Sequence, residues 1–113
     1  MLDSNLNKLS SGEVLWVERK LIGLNQGDRA VRMGLTRNDY GRLERDYHDN
    51  GRSFRKPLPP ALLLRLARRR SGLSLAEVAE MNKVSRVTLL KWERIEKDKL
   101  KNFWERRGFT FDR

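Results

Sequence analysis

The 113-residue chain has no cysteine and one histidine. Without cysteine there is no disulfide framework, no thiolate metal site and no cysteine nucleophile. His48 stands alone in a polar stretch, so neither a metal site nor a histidine base beside a nucleophile is expected. No phosphate-cradling glycine loop and no matched carboxylate pair is present, so neither enzyme activity nor a cofactor is expected. Long apolar runs are also missing, which argues against a transmembrane helix and a membrane partner. The opening residues, MLDSNLNKLSSGE, lack the basic-then-apolar order of a signal peptide, so a cytoplasmic protein is expected, free or associated with the nucleoid. The three prolines all fall within residues 57–60.

Acidic residues are scarce in one half only. Residues 1–50 hold 8 Lys and Arg against 8 Asp and Glu, whereas residues 51–113 hold 17 against 7. The formal net charge of +10 therefore belongs to the second half. Such a surplus favours a polyanionic partner, most simply nucleic acid, although a solvated basic face would give the same composition.

What is present is a repeat. Gly23 to Arg45 aligns without a gap on Gly72 to Arg94, offset by 49 residues. Six positions of 23 are identical, and five more are close replacements: Asn25/Ser74, Asp28/Glu77, Leu35/Val84, Thr36/Ser85 and Arg42/Lys91. Upstream, Arg19 falls on Arg68. A repeat of this length indicates one supersecondary unit used twice.

Cap and breaker residues place the elements. Residues 1–9 read as a loose lead-in. Ser10 and Glu13 have capping-box spacing, opening a helix that stops near Gly23. Asn25 caps a second helix from Gln26 to Met33, followed by a turn at Gly34, and Thr36 caps a third from Arg37 to about Tyr47 with Tyr40, Leu43 and Tyr47 on one face. Residues 48–59 read as a linker stiffened by proline. Pro60 opens a fourth helix to Ser71, Ser74 a fifth from Leu75 to Met81, Ser85 a sixth from Arg86 to about Glu96, and Asp98 a last from Lys99 to Arg107. Leu100, Phe103 and Trp104 share a face and read as core. Phe109-Thr110-Phe111 alternates and reads as a short strand, able to pair with a second chain. The expected fold class is all-α: two small helical units, 10–47 and 60–113, joined by the linker and closed by a short C-terminal strand.

Arg68, Gly72-Leu73-Ser74, Val78-Ala79, Val84-Ser85, Thr88-Leu89 and Trp92-Glu93-Arg94 carry a resemblance to the helix-turn-helix of phage Cro and repressor proteins, the XRE family. The first copy resembles the same family through Arg19, Gly23-Leu24-Asn25-Gln26, Ala30, Met33-Gly34-Leu35-Thr36-Arg37, Tyr40 and Leu43-Glu44. The resemblance implies two double-stranded DNA readers in one transcriptional regulator, of phage or mobile-element repressor type. It also implies phosphate anchoring by Gln26, where the second copy departs with Leu75. Structural ion pairs Arg19–Glu44 and Arg68–Glu93 are implied as well. Other departures are Arg29, at a position usually held by core leucine, and Asn82-Lys83 before Val84, a turn in which Asn82 is expected to take the left-handed conformation.

With Leu73, Val78, Ala79, Val84, Leu89 and Trp92 turned inward, the sixth helix leaves Arg86, Val87, Leu90, Lys91 and Arg94 outward, beside Ser85 and Thr88. These offer donors for guanine and phosphate, and methyls for a thymine methyl. The third helix presents Arg37, Asn38, Gly41, Arg42 and Arg45. Asn38 suits adenine and the arginines suit guanine, whereas Asp39 could accept from cytosine or repel phosphate. The linker cations Arg52, Arg55 and Lys56 are either a solvated run or an arm laid on phosphates or in a minor groove.

Twelve linker residues reach at most about 40 Å. Successive major-groove faces lie about 34 Å apart. One chain, as a monomer rather than a homodimer, is therefore expected to fill two grooves and read an asymmetric site. The alternative is an adaptor or antiactivator, in which the basic unit holds DNA and the neutral N-terminal unit docks a protein partner.

Overall fold

The computed structural model describes residues 5–46, 54 and 57–111. Its described residues are mostly helical, with seven helices and no strand longer than an isolated bridge. Two compact units are distinguished: residues 8–46 with Phe54, and residues 57–111 joined by Asn5–Asn7. Tyr47, Arg52, Arg55, Lys56 and most of the segment read as a linker lie outside the described residues.

The N-terminal unit holds α1 (Ser11–Ile22), α2 (Gln26–Arg32) and α3 (Arg37–Glu44). Ser10 and Glu13 close a reciprocal capping box, which satisfies two otherwise orphaned N–H groups at the start of α1. Asn25 and Thr36 cap α2 and α3 with their side-chain oxygens. Gly34, at φ 71°, ends the turn after α2, and the N–H groups of Gly34 and Leu35 return to the carbonyls of Val31 and Ala30. Both α1 and α2 pack on α3. Gly12 is required by that packing: a Cβ there would lie 2.5 Å from the Glu44 carbonyl oxygen, while its N–H donates to the Asp46 carbonyl at 3.1 Å. This capture of Asp46 accompanies the end of α3 at Glu44, short of the expected Tyr47. Tyr40 is fully buried, but Leu43, expected on its face, is 41% exposed.

The C-terminal unit holds α4 (Pro60–Ser71), α5 (Leu75–Met81), α6 (Arg86–Arg94) and α7 (Lys97–Arg106). Ser74 and Ser85 cap α5 and α6 as the sequence suggests. Lys83, not Asn82, takes the left-handed conformation at φ 57°. The reason is hydrogen bonding. The N–H groups of Lys83 and Val84 must reach back to Glu80 and Ala79, the pattern Gly34 and Leu35 make in the first copy, and that pattern fixes the left-handed residue one place after the C-cap. Asn82 instead donates its amide to the Val78 carbonyl at 2.8 Å. Helix α6 ends two residues earlier than expected and α7 begins two residues sooner. Glu96 stands at the N-cap, and Asp98 lies within the first turn rather than capping it.

Val78, Ala79, Leu89, Leu100 and Trp104 form the core with Leu62, Leu64 and Leu66 of α4, while Leu73, Val84 and Trp92 are half-buried. Helix α7 packs on both α4 and α6. Trp104 meets Phe103 and Phe109 edge-on at 4.8 and 5.6 Å, which makes α7 an aromatic seal rather than an appendage. Lys99 Nζ lies 5.1 Å from the Trp92 ring centre.

The lead-in is not loose over its described part. Leu6 and Leu9 are fully buried. Asn5 bridges Thr110 in parallel, Leu6 N–H donates to the Thr110 carbonyl at 2.9 Å, and the Asn7 amide donates to the Phe111 carbonyl at 3.1 Å. Arg70 Nη1 donates to the Asn5 carbonyl at 3.0 Å. The segment read as a C-terminal strand is thus a single bridge, and its partner is the chain's own beginning. Alternation in 109–111 revealed an edge but not what would meet it.

Candidate nucleic-acid interface

Each copy carries the same frame beneath its outward helix. In the first, Arg19 Nε and Nη2 donate to the two Glu44 carboxylate oxygens at 2.6 and 3.0 Å, and Nη1 donates to the Leu24 carbonyl at 3.1 Å. One guanidinium therefore ties the end of α1, the following loop and the end of α3. Gln26 Nε2 adds a further donor to Glu44 at 2.9 Å. Burial alone would raise the Glu44 carboxyl. The hydrogen bonds from Arg19, Gln26 and Tyr40, with the Arg19 charge, outweigh it and hold that carboxyl below the ordinary range. Burial, with the neighbouring Glu44, pushes the Tyr40 phenol up to about 12.

The second copy repeats the pair with fewer bonds. Arg68 Nε donates to Glu93 Oε2 at 3.1 Å, while the other Glu93 oxygen is buried with no hydrogen-bond partner. The residue matching Gln26 is Leu75, which has no donor to offer. Both expected ion pairs are present; the second lacks the glutamine donor, the second arginine bond and the tyrosine, whose place Leu89 takes. Arg29 occupies the position at which the second copy buries Val78 completely. It is only half-buried, and its Nε is buried without a partner, so the first core is the thinner one.

On this frame α6 presents Arg86, Val87, Leu90, Lys91 and Arg94 to the outside, all exposed. Val87 is 77% and Leu90 40% exposed. Residues 87, 90, 91 and 94 follow the i, i+3, i+4, i+7 spacing of one helix face. The acid of this helix, Glu93, is buried, so no carboxylate stands among the exposed residues of α6. Ser85 and Thr88 are engaged locally: the Ser85 hydroxyl accepts from the Thr88 N–H and donates to the Thr88 hydroxyl at 3.0 Å.

The outward face of α3 differs. Arg37, Asn38, Arg42 and Arg45 are exposed, but Gly41, expected among them, is buried. The Arg45 guanidinium crosses over it, coming to 3.4 Å from where a Cβ would stand. Asp39 lies 3.7 Å from Arg42 and offsets part of that cation's charge. Gln26, expected to anchor a phosphate, donates its Nε2 to Glu44, a charge-assisted hydrogen bond. Lys83, an exposed cation in the turn leading into α6, was read only as a turn residue and not among the expected DNA contacts.

Among the described residues no cluster of three or more metal-ligating side chains occurs, and no helix is long and apolar enough to cross a membrane. The chain matches no family model, no curated protein and no solved structure.

Proposed function

We propose that this chain is a sequence-specific, double-stranded DNA-binding transcriptional regulator of the phage or mobile-element repressor type, not an enzyme. In this proposal it uses two non-identical helix-turn-helix units and reads an asymmetric site as a monomer. The observation that carries the proposal is the face of α6. Three exposed cations and two exposed aliphatic side chains stand on one rigid helix with no exposed acid among them. A major groove offers phosphates, guanine acceptors and thymine methyls within the span of such a helix. The shared Arg–Glu frame and cap pattern support α3 as a second reading helix, with Asn38 and Arg37 in place of Val87 and Arg86.

One feature favours the adaptor alternative. The first half is charge-neutral, and Arg42 stands beside Asp39, so the N-terminal unit is the weaker candidate for DNA and the better one for a protein. Gel-shift titration separates the two. On a duplex selected by the full chain, Arg86→Ala/Lys91→Ala and Arg37→Ala/Asn38→Ala are each expected to cost about 1–3 kcal/mol per lost base contact. A loss restricted to the Arg86/Lys91 pair favours the adaptor, and no loss for either pair overturns DNA reading. Footprinting at known molecular mass then reports site symmetry and stoichiometry. A two-fold dimer on a palindrome overturns the asymmetric-site proposal.

A further inference from the structure

We infer that α6 selects thymine through its 5-methyl group, with Val87 as the specificity-determining contact and Leu90 as its support; this rests on the DNA-reading proposal. Val87 is the second residue of α6 and is 77% exposed, with Val31 the most exposed large hydrophobic among the described residues. It contributes nothing to the core, whose inward residues on this helix are Leu89 and Glu93. Leu90, one turn further along the same face, is also open. Lys91 and Arg94 extend the strip, and Arg86 stands beside Val87 at the start of the helix.

This arrangement has a chemical complement. Two branched aliphatic groups bounded by cations fit an apolar group that sits among anions. In the major groove the one apolar group on a base edge is the thymine methyl, and phosphates flank it on both strands. An acidic protein surface would match the cations but would leave Val87 and Leu90 facing carboxylates.

The same strip on α3 supplies the comparison. Its matching positions are Asn38, Gly41, Arg42 and Arg45, so the aliphatic pair is replaced by an amide and a buried glycine. Methyl reading is therefore a property of the C-terminal unit alone. The two helices divide the work by chemistry, an amide head on one and an aliphatic head on the other.

The test uses the full chain and a duplex it selects from a random-sequence pool, synthesised with thymidine or with deoxyuridine, which lacks only the methyl. The thymidine duplex is expected to bind about four-fold more tightly for each methyl covered, the factor that corresponds to one buried methyl group. Val87→Ser, which leaves no methyl at this position, is expected to bring that ratio close to one while leaving thermal stability nearly unchanged, because the side chain is outside the core. Asn38→Ala is expected to leave the ratio intact. Equal binding of the two duplexes by the unaltered chain overturns the inference and leaves DNA reading standing. So does a thymidine preference that survives Val87→Ser. Failure to select any duplex overturns both.

Discussion

Replacing Leu6 with alanine should destabilise the C-terminal unit, although Leu6 precedes the N-terminal unit in the chain. Leu6 is fully buried, and its N–H is fixed by the Thr110 carbonyl at 2.9 Å, so the backbone cannot easily close over a hole left by the side chain. Truncating a buried leucine to alanine costs about 2–5 kcal/mol, depending on how far the site collapses. We take about 2–4 kcal/mol here, since residues 5–7 form only the margin of the unit. That corresponds to a rise in the opening equilibrium on the order of 30-fold to 1000-fold for amides that exchange by unfolding of the unit. Native-state hydrogen exchange should show it at Leu64, Leu89 and Leu100, with Val17, Ala30 and Tyr40 as the N-terminal comparison. Loss of protection confined to the N-terminal set, or unchanged exchange in both, would refute the assignment of residues 5–7 to the C-terminal unit.

Three further outcomes follow from the paired copies. Lys83→Gly should stabilise the C-terminal unit by about 1 kcal/mol by relieving a left-handed lysine, and Gly34→Lys should cost the N-terminal unit a similar amount, both read by urea unfolding. Leu75→Gln should supply the missing donor to Glu93 and raise stability by about 1 kcal/mol, the value of a hydrogen bond to a charged group less some lost apolar burial; a thermal melt that moves downward counts against this account. The third outcome is acid sensitivity of the N-terminal unit. In the unfolded chain Glu44 takes up its proton near pH 4.5, and in the folded unit only at lower pH, so between these values the unfolded state binds more protons. Its contribution is complete above about pH 4.5 and is lost as pH falls through the folded value; circular dichroism across this range should show the acid loss, and Glu44→Gln should flatten it.

Much of the helical pattern was legible because it is written locally. Ser10, Asn25, Thr36, Ser74 and Ser85 are caps whose side chains bond within three residues, so the starts of these five helices can be found without knowing the fold; α7, which has no side-chain cap, was placed two residues late. The 49-residue offset paired Arg19 with Arg68 and Glu44 with Glu93, and both ion pairs appear. Some misses were local, as at Lys83 and at Gly41, which Arg45 covers from one turn away. Elsewhere a distant group intervened: Asp46 is held by Gly12, and Gln26 bonds Glu44. No window of local sequence contains both members of the Gly12–Asp46 or Gln26–Glu44 pairs.

The outward strip of α6 was determined by sequence alone, since helical periodicity and the positions of Leu89 and Trp92 leave Val87, Leu90, Lys91 and Arg94 no other side. What only the tertiary structure decided was the destination of the chain's ends. Residues 5–7 hold a single apolar side chain, and the alternation in 109–111 marks an edge without naming what meets it. Their backbone N–H and C=O groups nonetheless need one once buried, and each segment supplies it to the other.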